Sequence, residues 1–194
     1  MAHHFFAYMN RMKYIRRWGL MRNTQVENDM EHSLQTAMIA HGIALIGNKR
    51  FDREYDAEHI MALAVFHDAS EVITGDLPTP IKHNNPVIKD EYHRLESIAN
   101  QRLLATLPED LREEYTPLIE ADENTPEWKI VKAADRISAY IKCVEERKAG
   151  NREFVEAEMS TLAAIRADAL PEVQVFMEQF APGFALSLDE ISRG

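Results

Sequence analysis

A chain of 194 residues, 45% hydrophobic and 28% charged, is long enough for one buried core and has the composition of an ordinary globular domain. Its 22 Lys and Arg against 32 Asp and Glu leave a formal charge of −10, which excludes a broad nucleic-acid or anionic-membrane surface. Any anionic ligand therefore has to be held by local cations. Seven Gly argue against a turn-dense β fold, the single Cys143 cannot form an internal disulfide, and no stretch approaches the roughly 18 apolar residues of a membrane span. An all-α protein of the reducing cytoplasm is expected.

Residues Phe5 to Arg17 mix aromatic and Met side chains with Arg11, Lys13, Arg16 and Arg17 at rough helical spacing, with no acid before Glu27. Arg16-Arg17-Trp18, broken by Gly19, either docks a solvated helix on the core or offers cations and an aromatic plate to an anion. Asn28-Asp29 supplies N-cap chemistry for a helix from about Met30 to Ile46, with an apolar face of Leu34, Met38, Ile39, Ala44 and Leu45 and with His32 in its first turn. Asp56 caps the next helix, which runs past Ile60, Leu63, Ala64 and Phe66 and ends soon after Glu71. In that helix His67 and Glu71 stand at i and i+4 with Asp68 beside them, and two carboxylates and an imidazole so close need a cation or a reaction to compensate their burial. Gly75-Asp76-Leu77-Pro78-Thr79-Pro80 then forms a stiff loop.

From Pro86 to Leu107 the apolar positions Ile88, Tyr92, Leu95, Ile98, Ala99, Leu103 and Leu104 recur at helical spacing, and Pro108 opens a short helix to Tyr115. The acidic connector Glu120, Asp122 and Glu123 is either solvated or a hard-cation site. Thr125 as N-cap and Pro126 at N1 begin a helix to about Gly150 whose core stripe is Ile130, Ala134, Ile137, Ile141 and Val144. Asp135 lies at the edge of that stripe and needs a partner. Segments at about 151–169 and 171–180, and a final turn with the capping box Ser187 to Glu190, read as covering helices.

His32, His67, Asp68 and Asp135 thus share predicted helices near their apolar faces, and two imidazoles with two carboxylates suit a borderline-to-hard divalent cation. The order His, His-Asp, Asp, with the last in Lys132-Ala133-Ala134-Asp135-Arg136, resembles the HD-domain phosphohydrolases. Phe5-Phe6, Arg17-Trp18, Leu20-Met21-Arg22, Glu31-His32-Ser33-Leu34, His67-Asp68-Ala69-Ser70-Glu71, Gly75 to Pro80 and Leu186 to Ile191 are together similar to the bacterial HD-domain 5′-deoxynucleotidases.

That resemblance implies a single helical HD domain over 1–194, with the metal region at about 28–150 and covering helices beyond it, assembled as a homodimer. It implies hydrolysis of deoxyribonucleoside 5′-monophosphates with one divalent transition metal, for which cobalt is suggested and Mn, Fe, Ni or Zn are possible. His32, His67, Asp68 and Asp135 would be the metal ligands and Glu71 the proton-transferring acid. Arg17, Trp18, His32, Asp76, Leu77, Pro78 and Thr79 would meet the nucleotide, with the Trp18 ring where a ribose 2′-hydroxyl would go. No nucleic-acid polymer and no membrane is expected as a partner. Hydrolysis of a triphosphate, cyclic nucleotide or alarmone is the alternative, although Val72 stands where alarmone hydrolases carry a second acid and no Gly-Tyr-Pro signature of cyclic-dinucleotide enzymes occurs. A non-catalytic nucleotide-binding protein would not need Glu71.

Overall fold

The computed structural model describes residues 2–78 and 85–193, and these fold into helices joined by short turns. In chain order they are α1 (Phe5–Met9), a 3₁₀ turn (Met12–Tyr14), α2 (Asp29–Arg50), α3 (Ala57–Phe66), α4 (Glu71–Thr74), α5 (Pro86–Leu104), α6 (Glu109–Ile119), α7 (Pro126–Lys148), a 3₁₀ turn (Arg152–Phe154), α8 (Val155–Arg166), α9 (Pro171–Gln179), a 3₁₀ turn (Ala181–Ala185) and α10 (Leu188–Ile191). The sole β feature among the described residues is an isolated antiparallel bridge, Arg16 to Asn28. Among them, too, no helix is long and apolar enough to cross a membrane.

The expected caps are in place. Asn28 accepts from the N–H groups of Met30 and Glu31, Asp56 from His59 and Thr125 from Trp128, while Ser187 and Glu190 form a reciprocal capping box. Each satisfies backbone donors that a helix start leaves without an intrahelical partner.

α2, α3 and α7 pack against one another as the centre of the larger core. The α7 stripe Ile130, Ala134, Ile137, Ile141 and Val144 is buried as its spacing predicts, and so is Cys143. The face of α2 differs from expectation. Leu34 and Met38 are 59% and 61% exposed and Leu45 41%, whereas Ser33, Thr36, Ala37, Ala40, Ile43 and Ala44 point inward. Small residues let α2 approach its neighbours closely, and a Cβ on Gly47 would stand 2.7 Å from the Tyr55 ring. The larger side chains are left outside. α5 shows the same correction: Tyr92, Ala99, Leu103 and Leu104 are buried, but Leu95 and Ile98 face solvent. A second core gathers Phe5, Met9 and Met12 with Ala69, Leu103, Leu104, Leu107 and Ile119.

Three boundaries move. The N-terminal helix stops at Met9, and Ile15 to Asn28 becomes an irregular strap closed by the Arg16 bridge. α6 runs on to Ile119 through Pro117. The 151–169 segment splits into a 3₁₀ turn and α8, which ends at Arg166.

Candidate active site

α3 ends at Phe66, so His67 and Glu71 do not share the continuous helix their spacing predicts. The chain tightens instead: Ala69 N–H donates to Phe66 O at 2.9 Å and Glu71 N–H to Asp68 O at 3.0 Å. Such i→i+3 winding eclipses residues three apart, which places Asp68 and Glu71, rather than His67 and Glu71, in line. Glu71 is buried and opens α4.

His32 is fully buried in the first turn of α2. Its Nδ1 lies 3.0 Å from Ser138 Oγ, and that hydroxyl donates to Gln35 Oε1 at 2.6 Å, so the imidazole supplies the hydrogen on Nδ1 and keeps a lone pair on Nε2. His67 behaves alike. Its Nδ1 is 2.7 Å from Ala64 O, a group that only accepts, so its Nε2 is also the free lone pair. Both Nε2 atoms are buried with no hydrogen-bond partner. Orienting the ring through the second nitrogen is how proteins prepare a metal-ligating imidazole.

Asp135 Oδ1 stands 3.2 Å from His32 Nε2, while Asp68 Oδ2 is 3.2 Å from His67 Nε2 and 3.7 Å from His32 Nε2. His32, His67 and Asp135 offer ligand atoms all within 4.8 Å of one another. Orphaned imidazole nitrogens facing carboxylates in a buried space fit a divalent cation, and the structure brings all four predicted ligands together. Asp135 has the partner it needed in Lys132, whose Nζ donates to Oδ2 at 2.6 Å.

Arg17 brings a second cation to this cluster, beside Lys132. Its guanidinium is 3.1 Å from Asp68, 3.4 Å from Glu27 and 3.8 Å from Asp29. Burial opposes its charge, but Asp68, Asp135, Glu27 and Glu71 raise its pKa above the usual range. Burial would also raise Asp68 and Asp135, yet His67 and Arg17 hold the first carboxyl low and Lys132 and His32 the second. Glu71 goes the other way: burial, then repulsion by Asp68, Asp29 and Asp76, pushes it up to about 11. His32 is lowered by burial and Arg17, whereas for His67 burial is outweighed by Asp68 and the pKa rises. A divalent cation among these ligands would offset Asp68 and reverse much of that pattern.

Trp18 occupies left-handed backbone space, φ +58°, which a side chain of its size adopts only when its surroundings impose it. Its indole N–H donates to Glu27 Oε2 at 3.0 Å and its ring packs on Phe154 at 5.3 Å. Asp76 lies among the charges acting on Asp29 and Glu71. Leu77 and Pro78 follow it half-buried, and Thr79 falls outside the described residues. The connector forms a turn in which Asp122 accepts from Asn124.

Asp29, Glu27, Ser138 and Lys132 belong to this site and were not singled out by sequence reasoning. Asp29 is fully buried beside Glu71 and Arg17, and burial with the nearby Asp68 charge pushes it up to about 7. Its signal was available: Asn28 alone satisfies the cap, and Asp29 sits one helical turn before His32. Ser138 likewise follows Asp135 by three residues.

This helical bundle, with His32, His67, Asp68 and Asp135 gathered around one buried volume, has the fold of the HD-domain phosphohydrolases. The HD-domain phosphohydrolase of Listeria innocua superposes with a TM-score of 0.80 at 22% identity, covering 97% of this chain and 91% of that one. A cyanophage S-2L HD phosphohydrolase, whose structure holds dA and one catalytic Zn²⁺ ion, matches with a TM-score of 0.62 at 21% identity over 92% of this chain and 95% of that one. Residues 4–184 match the family described as 5′-deoxynucleotidase YfbR-like, and the chain belongs to that family. A 5′-deoxynucleotidase of Vibrio atlanticus is 52% identical over 97% of this chain and 98% of its own length. One from Photorhabdus temperata is 51% identical over 97% and 96%.

Proposed function

We propose that this protein is a metal-dependent 5′-deoxynucleotidase that hydrolyses deoxyribonucleoside 5′-monophosphates to deoxynucleoside and phosphate. The observation that carries this is the pair of buried, unpartnered Nε2 atoms of His32 and His67 facing Asp68 and Asp135, with Glu71 and Arg17 at their side. His32, His67, Asp68 and Asp135 hold one divalent transition metal; cobalt is our first assignment, and the donor set also accepts Mn, Fe, Ni or Zn. Bound there, such an ion supplies Lewis acidity to the phosphate ester and lowers the pKa of water.

The chain's own residues do the rest. Arg17 neutralises the phosphate that a chain of net charge −10 would otherwise repel. Glu71 is the proton-transferring acid: its carboxyl gives a proton to the 5′-oxygen as the P–O bond breaks, and the water that attacks phosphorus restores it. The Trp18 indole, fixed between Glu27 and Phe154, takes the space of a 2′-hydroxyl, while Asp76, Leu77 and Pro78 border the sugar. Sorting a hydroxyl by shape requires such a fixed ring.

The exposed stripe of Met30, Leu34 and Met38 on α2 supports a homodimer, since a second copy would cover it. A reducing cytoplasm suits the lone buried Cys143. The deciding experiment incubates metal-loaded protein with deoxy and ribo forms of 5′-mono-, di- and triphosphates and assays free phosphate. Release from deoxy monophosphates alone is expected; turnover of triphosphates instead, or of nothing with any divalent metal, would overturn the assignment.

A further inference from the structure

One face of α7 carries Asp135, Ser138, Lys142 and Glu146, at steps of three, four and four residues. The first two serve the imidazole centre. The last two form a buried ion pair that no step of the proposed hydrolysis uses, with Glu146 1% exposed. Replacing such a pair by apolar residues is frequently neutral or stabilising, so stability alone is a weak reason for its presence.

Its partners supply another reason. Glu146 accepts from Thr24 N–H at 2.9 Å, Thr24 Oγ1 at 2.6 Å, Gln25 N–H at 3.2 Å and Asn151 Nδ2 at 2.8 Å. Lys142 donates to the Gln25 carbonyl as well as to Glu146, and its ammonium lies 5.6 Å from the Phe154 ring on which Trp18 packs. The turn at Thr24-Gln25 is thus gripped on its donors and its acceptor by one helix face. The other end of the strap is tied by Arg17 N–H to Glu27 O at 3.1 Å and Asp29 N–H to Ile15 O at 3.1 Å. Between these anchors sits Trp18 in its left-handed conformation.

We propose that Glu146 is a positioning residue for the Arg17–Trp18 pair, acting through the strap of residues 15–29. Asp135 and Glu146 ride on the same helix, about 16 Å apart at 1.5 Å rise per residue. The height of the strap over the imidazole centre is then set by helix geometry, and the Trp18 ring is held against the pull of its unfavourable backbone. The inference rests on the proposed role of Trp18 at the sugar, and its test separates the two.

The test uses metal-loaded protein carrying Trp128→Phe, so that Trp18 is the single tryptophan, with Glu146→Gln, Thr24→Val and Thr24→Ser compared on it. Thr24 is exposed, so Thr24→Val removes one donor without disturbing the core, and Thr24→Ser keeps that donor. Glu146→Gln and Thr24→Val should make Trp18 emission more quenchable by acrylamide. They should also raise KM for dAMP by about tenfold, the worth of a hydrogen bond to a charged group, with a smaller change in kcat. The dAMP over AMP preference should fall, bound metal should stay constant, and Thr24→Ser should behave as the parent. Folded Thr24→Val with unchanged quenching, KM and preference would overturn the inference, even if Glu146→Gln fails to fold. Increased quenching together with a Trp18→Ala variant that keeps the parent's preference would uphold the positioning and remove Trp18 from the sugar.

Discussion

The Arg17 guanidinium stands 3.1 Å from Oδ2 of Asp68, the carboxylate that also faces the Nε2 atoms of His67 and His32. One anion therefore answers to an arginine and to two imidazoles. A buried cluster of acids coexists with folding because Arg17 shares its charge among Asp68, Glu27 and Asp29. Arg17→Ala should weaken binding of dAMP and of inorganic phosphate at least tenfold, since it removes a charge-assisted contact and leaves three carboxylates without it. Isothermal titration of the Glu71→Gln form with dAMP measures this without turnover; unchanged affinity would move the phosphate elsewhere.

In the proposed hydrolysis Glu71 is the proton-transferring residue. Glu71→Ala should keep metal content near that of the parent protein and reduce phosphate release by about 10²- to 10⁴-fold, the range for general acid–base groups. Elemental analysis and a phosphate assay on one preparation separate a lost proton donor from a lost ion. Most of the activity surviving would end the proton-transfer role.

Ser138 supports the centre from behind. Ser138→Ala leaves His32 Nδ1 with no acceptor at 3.0 Å and frees the ring to turn. Metal affinity should fall by about 10- to 100-fold, as for other outer partners of ligating histidines. Competition with a chromophoric chelator reads this directly, and an unchanged dissociation constant would show that burial alone orients His32.

Asp29 predicts a pH dependence of the metal-free protein. Its carboxyl moves from 3.8 up to about 7 on folding, so between those values the folded state binds more protons than the unfolded state and stability falls as pH rises. Asp29→Asn should flatten the thermal-midpoint profile across this interval and gain on the parent above pH ~7. Parallel profiles for the two proteins would mean that Arg17 keeps Asp29 ionised throughout.

Trp18→Ala should raise activity on AMP relative to dAMP by removing the ring proposed to fill the 2′ space. Rates on the two substrates under one metal provide the measurement, and a constant ratio would return Trp18 to packing against Phe154.

Much of this molecule was legible in its sequence, for identifiable reasons. Helix caps at Asn28, Asp56, Thr125 and Ser187 depend on side chains adjacent to the backbone donors they satisfy, so local chemistry reveals them. The α7 stripe is legible because a helix buried along one side repeats its apolar residues. His32, His67, Asp68 and Asp135 stood out because polar groups on apolar faces demand partners.

What failed was inference from apolar size. Leu34, Met38, Leu95 and Ile98 were assigned inward and lie outside, because the face of a helix that turns inward depends on the partner it packs against. The winding at His67–Glu71 also escaped, since the choice between i→i+4 and i→i+3 bonds costs little locally and is settled by packing of the second core around Ala69.

By itself, then, the sequence determined the helical class, the caps and the four side chains proposed to hold a cation. The tertiary structure alone decided that His32 and His67 both present Nε2, that Asp29 joins the buried acids, and that Glu146 grips the strap carrying Trp18. Those facts depend on which carbonyl, hydroxyl or amide another part of the chain brings within about 3 Å, and no local periodicity encodes such a meeting.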